Sequence, residues 1–467
     1  MREKVHIKAS HILMASAIIM IYFQIYWHYW FVKLLGGYVV NTLLPITVLF
    51  CGFVFKEFIL ADWNGRLKIS IFYLSIPLLC YVFFASVSIA LNEDGLNNIK
   101  RFFIYIYSPV IIFLGLLGLN AYRGNRNIKF VLFIVFMTAV AFSVYAVYVY
   151  SNLSSIDLAG SPANIPEILG MPALETNRGP LYGHTGGVYG VGDVSAFRYT
   201  IPGISSTTYG PLLVPVVFIG LLLRKGANGI SKHLYAFLVF FLMFCIFKTA
   251  SRAAFVSLAA GITYLLWMRW FKPKELVLII TVLIISILTF GKLLFLRVLI
   301  TFAAFFPIDI SYLGNPASMP DITKDWRILS ISETLSYIYQ NPFFGIGMSN
   351  LIDIQEFSHG KEHNNYLSIA ASFGMLSLIF YIVFIILLFI MVHKLIKKIS
   401  SNKSMRDMGI AFGAGLLALI VYLNFAPAEF HFIWVWFGLS AAWIRNCKTE
   451  LSLNRNITGE KHENSYN

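Results

Sequence analysis

Apolar runs of membrane length follow one another along most of this chain. They fall at roughly 11–32, 38–60, 69–91, 102–119, 130–150, 209–223, 234–250, 252–270, 275–298, 366–392, 409–425 and 431–445, and most approach the ~20 residues a helix needs to cross a bilayer. Hydrophobic residues make up 58% of the chain and charged residues 12%. Mean hydropathy is +0.73. A soluble domain cannot hide that much apolar surface. The expected fold class is an all-α membrane protein with about twelve transmembrane helices in a single polytopic domain, 1–467.

The positive charge sharpens this picture. A net charge of +14 would suit nucleic acid in a soluble chain, but here much of it lies in short loops between apolar runs. Threading the runs from a basic, cytoplasmic N-terminus (Met1 to Lys8) puts Arg66/Lys68, Arg123/Arg126/Lys129, Arg224/Lys225/Lys232, Arg269/Lys272/Lys274 and Lys394/Lys397/Lys398/Lys403/Arg406 on one side. The tail, 446–467, lies on that side too. Every strongly basic short loop thus faces the cytoplasm, as the positive-inside rule requires. The charge therefore reports topology and contact with anionic lipid, and nucleic acid is not an expected partner. Cys51, Cys80 and Cys245 lie in apolar runs and Cys447 in the tail, so neither a disulfide framework nor a metal cluster is expected.

Two long segments fall on the outer side, 151–208 and 299–365. Both exceed ordinary loop length and are functional candidates. The first is rich in Gly and Pro, with Gly179-Pro180, Gly183-His184-Thr185-Gly186-Gly187 and Gly190-Val191-Gly192, and reads as irregular rather than helical. The second contains an amphipathic helix at about 325–340. Its apolar stripe is Ile328, Ile331, Leu335 and Ile338, with Arg327, Ser330, Thr334 and Tyr337 on the other side. Pro342 and the Gly345-Ile346-Gly347 turn should end it, and such a helix can lie flat on a membrane.

The outer edge should be poor in cations, yet it carries Arg178, Arg198, Lys248, Arg252, Lys292, Arg297, Arg327 and Lys361. Lys248 and Arg252 share a face if their helix is continuous. If the chain turns there instead, Ser251 caps the next helix and Arg252 sits at its positive end. Either geometry makes an anion site. Further on, Lys361-Glu362-His363-Asn364-Asn365 runs straight into an apolar run. Asn364 can cap the helix that begins there, which holds the His363 imidazole at the membrane surface beside the positive end of a helix dipole. Cations and a histidine gathered on one side suit a lipid diphosphate at headgroup depth. A lone arginine at a membrane edge is ordinarily only a snorkelling anchor, so the case rests on the set.

The order of these pieces resembles the C-terminal core of the O-antigen ligase and polymerase superfamily, over about 245–380. The residues that carry the likeness are Lys248-Thr249-Ala250-Ser251-Arg252, then Arg327, then Asn341-Pro342 with Gly345-Ile346-Gly347, then His363-Asn364-Asn365-Tyr366-Leu367 and Phe373-Gly374. Arg198 with Pro202-Gly203 and Ser206-Thr207 is similar to an upstream element of the family, without the Asn usual there. The resemblance implies a GT-C-like, metal-independent membrane glycosyltransferase in the bacterial inner membrane, multi-pass, with its site facing the periplasm. Its substrates would be an undecaprenyl-diphosphate-linked oligosaccharide donor and a glycan acceptor, and no cofactor is implied. Carried over, His363 would be catalytic, and Arg252, Arg327 and Arg198, with Lys248, would hold the diphosphate. Glu362, Asn364 and His184 are candidates for assisting roles.

The chemistry agrees with that assignment. Diphosphate is a good leaving group, fixed arginines stabilise the charge that grows on it, and a neutral histidine suits removal of a proton from an incoming hydroxyl. Direct attack would invert the anomeric centre, and no motif of paired carboxylates points to a covalent intermediate. Two activities fit: a polymerase that joins lipid-linked repeats, partnered by a regulator of chain length, and a ligase that moves glycan to lipid A core. Two substantial outer segments and a 16% aromatic content favour the polymerase. A flippase is disfavoured, since charges avoid the centres of the apolar runs.

Overall fold

The computed structural model describes residues 19, 72–92, 106–119, 125–153, 188–191, 194–197, 206–249, 251–271, 273, 275, 326–348, 351, 364–399, 402–425 and 431–457. Among them the chain forms ten α-helices: α1 Phe72–Asn92, α2 Ser108–Leu119, α3 Asn125–Leu153, α4 Ser206–Gly226, α5 Gly229–Lys248, α6 Arg252–Trp267, α7 Trp326–Gln340, α8 Asn365–Lys398, α9 Lys403–Tyr422 and α10 His431–Ile457. Six stretches are long and apolar enough to cross a membrane, in α1, α3, α4, α5, α8 and α9, while α2 and α6 are shorter apolar helices. Helices are what apolar runs must form in lipid, where no water can satisfy an open backbone group. The protein is an integral membrane protein. The expected runs at 11–32, 38–60 and 275–298 lie outside the described residues except at positions 19 and 275.

The first outer segment is not wholly irregular. Strands β1 Val188–Val191 and β2 Val194–Phe197 pair antiparallel, with Val188 opposite Phe197 and Val191 opposite Val194. The signal was present in the chain, because Gly192-Asp193 is a two-residue hairpin connection between residues that include several valines.

Helices α4 and α9 are the centre of the bundle. Helix α4 packs against α3, α5, α6 and α9, and α9 packs also against α6, α8 and α10. Helix α8 is flanked by α1, α7, α9 and α10. One end of the bundle is tied by polar groups. Lys225 Nζ donates to Asp407 Oδ1 at 2.8 Å, Trp270 Nε1 donates to the same oxygen at 2.8 Å, and Lys129 Nζ donates to Ser404 Oγ at 2.6 Å. Asn402, which caps α9, also donates to Glu450 Oε1 at 2.8 Å. The start of α3, the end of α4, the segment just past α6, the start of α9 and the later part of α10 therefore share this basic end.

Helix α8 is not continuous. At Gly374 the backbone has φ 86° and ψ 166°, which splits it into a short N-terminal piece and a long C-terminal one. In an unbroken helix the amide of Met375 would bond the carbonyl of Ala371. Here Met375 N donates to Pro342 O at 2.7 Å, and Ala371 O accepts from Ile346 N at 2.8 Å. Ser372 O accepts from Gly347 N at 3.0 Å and from Ser88 Oγ at 2.9 Å. The turn that follows α7 is thus bonded into the break. From α1, Asn92 Nδ2 adds a bond to Gly345 O at 3.2 Å, and the single Ser88 hydroxyl proton is shared between Ser372 O and Phe344 O.

The backbones meet so closely that a Cβ on Gly374 would lie 1.9 Å from Phe343 O, and one on Gly345 would lie 2.4 Å from Ala371 O. Both glycines have positive φ, which L side chains adopt at a penalty. Gly374→Ala should therefore lower the thermal midpoint of the purified protein in detergent sharply. The backbone conformation alone accounts for about 1–3 kcal/mol, and the overlap adds to it. Gly226→Ala, with open space around it, serves as the control and should leave the midpoint unchanged.

Candidate functional site

The chain turns between α5 and α6, and this turn decides between the two geometries open at the sequence level. Lys248 is the last residue of α5, Thr249 is its C-cap, and Ser251 is the N-cap of α6 with extended backbone. Ser251 Oγ accepts from Ala254 N at 3.4 Å, Thr249 Oγ1 accepts from Ser251 N at 3.3 Å, and Thr249 Oγ1 donates to Ile246 O at 2.7 Å. Both hydroxyl residues are buried. Arg252 is consequently the first residue of α6, partly exposed, where the macrodipole is positive and amides favour an anion. It does not share a continuous helix face with Lys248, whose Nζ lies 5.7 Å from the centre of the Phe244 ring.

The start of α8 is built as the sequence suggested. Asn364 Oδ1 accepts from Tyr366 N at 3.0 Å and from Leu367 N at 3.1 Å, a side-chain cap on two otherwise unpaired amides. His363 and Glu362, immediately before it, lie outside the described residues, as do Arg198 and His184.

Helix α7 packs against α8 with its polar side inward. Ser330 and Thr334 are 3% and 2% exposed, whereas Ile331 and Leu335 are 40% and 49% exposed. Of the apolar stripe, Ile338 packs against the core. Arg327 precedes Ser330 by three positions and Thr334 by seven, and its side chain lies outside the described residues. Tyr337, which donates to Glu333 Oε1 at 3.2 Å, has its phenol pKa raised by burial and by that carboxylate.

A chain of contacts joins the Ser-Arg turn to the start of α8. Gly210, near the beginning of α4, sits so close to the turn that a Cβ there would lie 2.6 Å from Thr249 Oγ1. Thr208, two residues earlier, is hydrogen-bonded to Tyr422 at the end of α9. Tyr366, in the first turn of α8, donates to Ile420 O at 3.1 Å. Arg252 and the Asn364 cap therefore lie at the same end of the bundle, opposite the end tied by Lys129, Lys225 and Asp407. Sequence reasoning missed Ser88, Asn92, Thr208, Gly210 and Tyr366 as parts of this end. Ser88 and Asn92 did carry a signal, being polar residues four apart at the end of an apolar run. Among the described residues no three His, Cys, Asp or Glu side chains gather as metal ligands would.

Residues 237–382 match the family described as O-antigen ligase. Over this segment the chain is similar to the O-antigen ligase family. The matched segment runs from α5 through the break in α8, so it contains the Ser-Arg turn, α7, the turn docked at Gly374 and the Asn364 cap. The match supports a ligase- or polymerase-type activity. No curated protein matches the chain.

In this O-antigen ligase-type segment the two caps hold the two helix starts in place. Ser251→Ala and Asn364→Ala should each destabilise the protein by about 1 kcal/mol, seen as a lower midpoint of thermal denaturation. Asn364→Asp, which retains an accepting oxygen beside a positive helix end, should melt like the wild type.

Proposed function

We propose that the protein is a polysaccharide polymerase that transfers a glycan from an undecaprenyl-diphosphate carrier to a sugar hydroxyl of another lipid-linked repeat. The observation that carries this reading is the gathering of two capped helix starts, Arg252 on α6 and Asn364 on α8, at the end of the bundle opposite the basic end. By the positive-inside rule the basic end is cytoplasmic, so the site faces the periplasm. Two substantial outer segments provide room for two glycan chains.

In this reading the α6 start and Arg252 hold the donor diphosphate, with Arg327 of α7 and with Lys248 and Arg198 contributing charge. The acceptor hydroxyl oxygen attacks the anomeric carbon from the side opposite the diphosphate. The bond from that carbon to the diphosphate oxygen breaks, and the diphosphate lipid leaves with the electron pair. His363 takes the hydroxyl proton. The anomeric centre inverts, and charge accumulating on the leaving group is stabilised by cations that are already in place.

His363→Ala should abolish transfer with the protein still inserted, since general base catalysis contributes about 10²–10⁴-fold. Arg252→Lys and Arg327→Lys should weaken donor use, because an ammonium cannot reproduce the two-pronged grip of guanidinium on phosphate. The check is complementation of a strain lacking the protein, with surface glycan separated on a gel. The wild type should give a ladder and the His363→Ala strain a single repeat on lipid A core. Long chains retained on the lipid carrier, with bare core, would make the protein a ligase. An unchanged ladder in the His363 variant would remove the base from the mechanism.

A further inference from the structure

The short N-terminal piece of α8 is enclosed by protein, with every residue from Ser368 to Gly374 buried. It carries polar side chains on one line, Asn365, Ser368 and Ser372 at i, i+3 and i+7. One of these is anomalous. Asn365 is 3% exposed, and its Oδ1 is fully buried with no hydrogen-bond partner. A buried polar atom left unpaired is destabilising, and native proteins seldom keep one without a reason.

The two amides that follow it are engaged elsewhere. Tyr366 N and Leu367 N are bonded to Asn364 Oδ1. The Tyr366 hydroxyl is bonded to Ile420 O, and Ser372 Oγ to Met348 Sδ at 3.2 Å. Ile346 N and Gly347 N are bonded across the helix break. The orphan acceptor thus sits one residue beyond the cap and two beyond His363, at the end of the bundle where donor and acceptor would meet.

We infer that Asn365 is a sugar-binding residue, its buried Oδ1 accepting a hydrogen bond from a hydroxyl or amide N–H of the glycan. The chemistry selects this class of partner. An amide oxygen can only accept, and a diphosphate at neutral pH offers acceptors, so the two cannot satisfy each other. A sugar offers donors. The inference rests on the glycan-transfer reading and adds to it a contact to the sugar, separate from the cationic groups assigned to the diphosphate.

The test compares Asn365→Leu and Asn365→Asp with the wild type in the full-length protein purified in detergent. Thermal midpoints are measured alongside steady-state transfer, using lipid-linked glycan extracted from cells that lack the protein. Leucine removes the orphan at similar volume, so its midpoint should be equal to or above that of the wild type. Its kcat/KM should fall about tenfold to a hundredfold, as loss of one buried hydrogen bond to substrate requires. Aspartate, which keeps an accepting oxygen, should recover part of the loss. A leucine variant that transfers like the wild type would overturn the inference. So would one that melts well below the wild type with no recovery by aspartate, since that pattern marks a structural asparagine. An inert wild type is seen without either variant; it would overturn the glycan-transfer reading and, with it, the ligand assigned to Asn365.

Discussion

A helix broken in the middle of a membrane protein leaves backbone groups that lipid cannot satisfy, and the arrangement around α8 follows from that. The break at Gly374 detaches Met375 N from Ala371 O, and the turn at 342–347 supplies a partner to each. In doing so it anchors the end of α7. Ser88 and Asn92 complete the join from α1. Three elements distant in sequence are locked at one point by groups that would otherwise be unpaired, and close contact there requires Gly345 and Gly374. The short piece beyond the break is thereby held inside protein rather than lipid, which allows it to carry Asn365, Ser368 and Ser372.

The two ends of the bundle are chemically different, and the difference arises from helix termini as much as from side chains. At one end lysines meet Asp407, Ser404 and tryptophan rings; Lys225 lies 4.6 Å from the centre of the Trp270 ring. At the other end the starts of α6 and α8 present capped, positive dipoles, with Arg252 added to one and Asn364 closing the other. The second end suits an anion because α6 and α8 begin there. The first end is basic because Lys129, Arg224 and Lys225 gather there.

Helix α7 reverses a familiar pattern. In a soluble protein the stripe containing Ile331 and Leu335 would be buried and Ser330 and Thr334 would face water. Here Ser330 and Thr334 are the buried ones and the isoleucine and leucine face outward. The periodicity was visible in the chain, and so was the end of the helix before Pro342. Which face turned inward depended on what α7 packs against. The hairpin at 188–197 was legible in its Gly-Asp pair but was masked by the density of glycines around it.

Local chemistry alone established that the chain crosses the membrane repeatedly and that Asn364 is a helix cap, because each depends only on neighbours in sequence. Tertiary structure decided that the chain turns rather than continues between Lys248 and Arg252, since Gly210 of α4 must admit the turn. It also decided that Gly374 breaks α8 and receives Ile346 and Gly347, and that Ser88, Thr208 and Tyr366 connect the parts of one bundle end. These are contacts between residues far apart in the chain, and their energies arise only when backbone groups and helix ends from different segments meet.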